Sequence, residues 1–205
     1  MRDSLIEYFI SERRFSSYKD THEYEQNLIF SKDSYVPLSI LEISLRNSID
    51  KHFSNKLGTS WYGNTTFLTK DSILKVTQAR ELLQRRREPT TKDKIIAELS
   101  FGFWVNLFKK PYEKKLRIND LVKIFPHLPP KNIKRITRES IYKELNHIRN
   151  FRNRIFHYEK VINRNNYNII HNEIDEMLLY FDPELQQFSS RINSKINKIG
   201  KGSNV

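Results

Sequence analysis

Apolar residues spaced three and four apart, never in steady alternation, fix what this chain can fold into. Ile141, Leu145, Ile148, Phe151 and Ile155 fall on one stripe of a helix turning about 100° per residue. The same period recurs in almost every apolar segment, and no segment alternates as a half-buried strand does. The expected class is therefore all-α, a helical bundle. A length of 205 residues allows one well-buried core and calls for no second domain.

Residues 4–18 and 22–30 read as two N-terminal helices, and a break is expected over 34–37, where Pro37 stands. A helix over 38–57 follows and ends near Gly58. Residues 58–69, GTSWYGNTTFLT, read as a loop whose Trp61, Tyr62 and Phe67 pin it to the core in preference to stacking on bases. Further helices are expected over 70–87 and, as the most apolar and central one, over 92–108, where Gly102 permits a close neighbour. Another helical segment starts at Pro111. The prolines of 125–130 make a rigid connection that leaves His127 a loop residue. Residues 131–157 form one long helix or two, and a last amphipathic helix spans 167–181. The domain is expected to cover 1–187, with 1–34 as N-terminal helices. Residues 188–205 form a basic tail, either a frayed helix or a mobile segment.

Chemistry is concentrated in residues 145–160, LNHIRNFRNRIFHYEK. Asn153 and His157, four apart, share a face beside the apolar stripe, while Arg152 lies close to the stripe itself. A guanidinium there needs an anionic or hydrogen-bonding partner, and a phosphate would serve. Histidine exchanges protons near neutrality and arginine clamps phosphate oxygens, so Arg152, Asn153 and His157 suit a phosphodiester. The bland alternative is a solvated edge or a structural ion pair.

A similar pattern occurs in residues 38–53, LSILEISLRNSIDKHF, where Arg46 and Asn47 precede His52. Glu42 stands four residues before Arg46, a spacing that favours an ion pair along the helix. His52 shares a face with Leu38, Leu41, Leu45 and Ile49, which is also where a packed core histidine would lie.

These two RN…H motifs, the E-x3-R of Glu42 and Arg46, the LSFGFW block at 99–104 and the RNRIFHYE block at 152–159 resemble the Abi-like (abortive infection) proteins, which carry the HEPN ribonuclease fold. The resemblance covers residues 35–161. It implies a HEPN-like helical domain and metal-independent RNA cleavage, with catalytic roles for Arg152, Asn153 and His157 and a possible second site at Arg46, Asn47, His52 and Glu42. It also implies a homodimer or higher homo-oligomer that brings two motifs together. The setting it implies is antiviral defence, as an abortive-infection effector or toxin. Toxicity in turn points to an antitoxin, either a protein or an RNA. A noncatalytic RNA- or protein-binding helical module is the alternative.

A net charge of +12 and a pI near 9.8 favour polyanionic partners, RNA among them. The excess is local. Residues 1–30 hold four basic and six acidic side chains, whereas 131–164 hold ten basic and three acidic. Arg149, Arg154 and Lys160 beside the motif, with Arg85, Arg86 and Arg87, are candidate RNA contacts, although three cations closing a helix also suit its dipole. Absence of cysteine excludes disulfides and cysteine-bound zinc and fits a reducing, cytoplasmic setting. Six scattered histidines give no ligand spacing, so no metal or cofactor is expected. No apolar run approaches the roughly 20 residues of a membrane span. The opening MRDSLIEYFI, broken by Glu7, does not read as a signal peptide.

Overall fold

The computed structural model describes residues 3–199, which form ten α-helices, three short 3-10 turns and no strand. Helices α1 (Asp3–Ile10) and α2 (Glu12–Phe15) make an N-terminal arm ahead of α3 (Thr21–Leu57). At 37 residues α3 is about 55 Å long and is the axis of the bundle. Asp20 caps its start by accepting a hydrogen bond from the Glu23 amide, and Gly58, at φ 90°, closes it in a conformation few side chains tolerate.

The break expected over 34–37 does not occur, because Pro37 lies inside α3. A proline there removes one backbone hydrogen bond, a cost of about 3 kcal/mol. Tertiary burial outweighs it: Asn27, Ser34, Pro37, Leu38, Leu41, Leu45, Ile49 and Phe53 form a continuous buried seam along α3. Ser34 also donates from Oγ to the Phe30 carbonyl and meets His171 Nε2 at 2.7 Å.

Residues 58–69 form the expected loop, and its aromatics do pin it. Trp61 is fully buried, packs at tilted angles against Phe53 and Trp104, and donates from Nε1 to Asp50 Oδ1 at 2.7 Å. Helix α4 (Lys70–Arg85) follows, capped by Thr69. The single helix expected over 92–108 is two, α5 (Lys92–Glu98) and α6 (Phe101–Asn106), separated by extended backbone at Leu99 and Ser100. The bend turns Phe101, Phe103 and Trp104 into the core, and Trp104 Nε1 donates to the Leu99 carbonyl. Gly102 faces the Arg149 side chain.

Helix α7 (Ile118–Ile124) and the proline connection lead to α8 (Arg138–Phe156), which is shorter than the 131–157 span expected. Thr137 caps α8 by accepting from the Ser140 amide, and Ile141, Leu145, Ile148 and Phe151 form the buried stripe foreseen for it. Helix α9 (Ile170–Phe181) and α10 (Pro183–Ile199) pack against each other and both pack on α3. The boundary expected at 187 thus falls within a helix. Residues 200–205 of the basic tail lie outside the described residues. No helix among the described residues is long and apolar enough to cross a membrane.

Candidate functional site

Helix α8 ends at its chemistry. Phe156 is its last residue, and His157 is the cap, with φ −96° and ψ 9°. Tyr158 then turns into the left-handed region at φ 57°. Its amide donates to the Ile155 carbonyl, and the Glu159 amide reaches back to the Arg154 carbonyl at 2.9 Å. This double closure is the Schellman arrangement, which usually places glycine where Tyr158 stands. The His157 amide still bonds the Asn153 carbonyl, so both side chains keep one face. Both are exposed, and among the described residues the His157 imidazole makes no hydrogen bond or ion pair.

Arg152 is half-buried beside them, and an anion meets it as its position required. That anion is Glu42 of α3, whose Oε2 lies 3.5 Å from Arg152 Nη2. The ion pair expected between Glu42 and Arg46 along one helix is not formed. Arg46 turns instead to its neighbour, Nε donating to Asn47 Oδ1 at 3.3 Å, and Glu42 reaches across to α8. The Arg152 guanidinium also lies over the Phe156 ring, 4.1 Å from its centroid, while its Nε is buried without an acceptor. A group with five donors thus has one long ion pair and no hydrogen bond, leaving capacity for an oxyanion.

The first motif is arranged differently. His52, whose side chain is 11% exposed, holds Asp120 Oδ1 at 2.9 Å, and Lys56 reaches the same oxygen at 2.5 Å. Burial would raise the Asp120 carboxyl, but hydrogen bonds from Lys56, the Arg117 amide and His52 hold it below its ordinary value. His52 therefore fastens α3 to α7. Arg46 is half-buried and Asn47 exposed.

Most candidate RNA-contacting cations already have partners. Arg149 donates to Asn106 Oδ1 and to Asn146 Oδ1, bracing α8 against α6. Arg154 pairs with Glu159 at 2.5 Å, and Arg86 with Glu98 at 3.1 Å. Arg85 and Arg87 make no side-chain hydrogen bond or ion pair among the described residues. Lys160 is bound to Glu23 at 2.7 Å and to the Ser17 carbonyl at 2.9 Å. Hydrogen bonds to Glu23 from Lys160, the Lys19 amide and Asn163 hold its carboxyl at about 2.

Asn27, which carries no sequence signal, anchors the segment after the motif. Its Oδ1 accepts from the Val161 amide at 2.7 Å and from the Ile162 amide at 3.3 Å, and its Nδ2 donates to the Glu159 carbonyl. A cavity of about 820 Å³ lies elsewhere, between α7 and residues 126–139, and contains no motif residue. No group of three His, Asp or Glu side chains suited to a metal occurs among the described residues.

No family model, curated protein or solved structure matches this chain. What the end of α8 offers is local chemistry: a free imidazole, an amide on the same face, and a guanidinium anchored by Glu42 and Phe156.

Proposed function

We propose that the chain is a metal-independent endoribonuclease of the HEPN type. The observation that carries this reading is the uncommitted, exposed His157 beside an Arg152 that still has donors to give. A general acid or base must reach solvent and substrate, and a phosphate clamp must not be saturated by its own chain.

In this mechanism the ribose 2′-hydroxyl attacks the adjacent phosphorus and the bond to the 5′-oxygen breaks. One imidazole takes the 2′-hydroxyl proton and another protonates the departing oxygen, leaving 2′,3′-cyclic phosphate and 5′-hydroxyl ends. Arg152 neutralises the phosphorane-like transition state, and Asn153 orients the imidazole or a phosphate oxygen. Because His52 is committed to Asp120, the second imidazole is the His157 of another copy, which makes the enzyme a homodimer. The half-exposed rings of Tyr35 and Phe156, 6.2 Å apart beside Arg152, supply apolar area for that contact. Such an enzyme would act in the cytoplasm as an abortive-infection effector or toxin, and would need an inhibitory protein or RNA.

The parent and a His157→Ala variant, incubated with labelled RNA in EDTA, test the proposal. The parent should cut and the variant should be slower by about 10²–10⁴-fold. A DNA strand of the same sequence should survive, since it lacks the attacking hydroxyl. Cleavage of DNA, or equal cleavage by both proteins, rejects the mechanism. The rival reading is a noncatalytic binding module, favoured by the large cavity beside α7, where Ile118 and Val122 are exposed. It predicts equal RNA binding and no cleavage by either protein.

A further inference from the structure

A second cavity, of about 430 Å³, opens where the N-terminal arm meets the segment following α8. Arg13, Arg14 and Ser17 line it from one side and Tyr158, Lys160 and Arg164 from the other. The two carboxylates nearby are spent, Glu159 on Arg154 and Glu23 on Lys160. Arg14 reaches the Tyr158 carbonyl at 3.4 Å and approaches the Tyr158 ring, and Arg164 donates from Nε to the Lys160 carbonyl. Among the described residues, Arg13, Arg14 and Arg164 have no carboxylate within ion-pair reach, so three guanidiniums share one concavity whose single lining carboxylate, Glu159, is paired with Arg154.

Such a cluster repels itself until an anion with several acceptor oxygens enters, and the planar forks of arginine match a phosphate. The volume lies in the range of small-ligand sites. Tyr158 directly follows His157, and its ring is 71% exposed at a left-handed residue where glycine would be easier to accommodate. We propose that this cavity is a subsite for single-stranded RNA. It holds a backbone phosphate neighbouring the linkage presented to His157, with an unpaired base resting on Tyr158. The identity of the strand rests on the endoribonuclease reading; the anion site rests on the arginines.

Binding of a fluorescein-labelled 2′-O-methyl RNA octamer, which cannot be cut, separates the two. At 0.1 M salt the Arg14→Gln/Arg164→Gln double variant should bind about tenfold more weakly than the parent. Its slope of log K against log salt should be shallower by about 0.7, the single-strand value for one phosphate. Arg13→Gln, which removes a side chain with no hydrogen bond or ion pair among the described residues, should lower the slope in the same direction by no more than about 0.7, with the fold intact. Tyr158→Ala should weaken binding about tenfold. Arg80→Gln on α4 should change neither quantity. Because the probe is never cut, a failed nuclease mechanism leaves this result standing. Unchanged affinity and slope in the arginine variants would overturn the subsite. Loss of inorganic phosphate binding with the octamer still held at parental affinity would overturn it too, by making the cavity a small-anion site.

Discussion

Asn27 joins stretches of chain more than 130 residues apart, and its buried amide satisfies backbone groups that nothing else reaches. Asn27→Ala strands the Val161 amide, whose hydrogen bond is buried, so urea denaturation should show a loss of about 2 kcal/mol. Tyr158 presents the opposite case. Tyr158→Gly relieves a left-handed non-glycine residue and should raise stability by about 0.5–1 kcal/mol while weakening the RNA octamer, a trade measurable on one preparation. Glu42→Gln should cost under about 1 kcal/mol in the same assay, because the pair is partly solvated, yet should slow RNA cleavage by releasing Arg152 from its place. Arg152, Asn153 and His157 stood out in the sequence through their residue types, their spacing and the resemblance these carry. The sequence could not mark Asn27 or Glu23, since a polar residue in a polar helix carries no sign of a distant carbonyl or ammonium.

Among the elements, the α8 stripe was readable because every member of it is buried or half-buried against the core. The breaks were less so. Pro37 signals an interruption in any local reading, but the buried seam of α3 overrides it, whereas Leu99 and Ser100 look helical and are bent by three aromatics seeking the interior. The loop after α3 depends on one of the largest of these rings. Trp61→Ala removes a fully buried indole and its bond to Asp50, and should cost about 3–5 kcal/mol in thermal or urea unfolding. The α3–α9 contact should respond to pH. His171 stacks on Phe30 and meets Ser34, and burial depresses its pKa, with Asp175 and Asp33 partly opposing that shift. The unfolded chain therefore takes up this proton first. Stability should be full above about pH 6.5 and decline as pH falls through the lower folded value. His171→Phe should remove that part of the slope between pH 7.5 and 5.5.

For the whole molecule, the all-α class followed from period, but the arrangement of charge did not follow from counting. The excess of cations in 131–164 reads as one basic face, yet Glu23 from the acidic N-terminal region neutralises Lys160 and Glu42 meets Arg152. Arg13 and Arg14 of the arm, which one would set aside as ordinary surface side chains, keep no carboxylate partner among the described residues. The Asn27 anchor also bears on synthesis. A ribosome that has made this polypeptide only as far as Tyr158 has already produced both RN…H motifs, but Asn27 then has no Val161 or Ile162 amide to hold. The nascent product is left with the segment after its second motif unfastened, so this end of the bundle closes only once translation has run almost to the last helices.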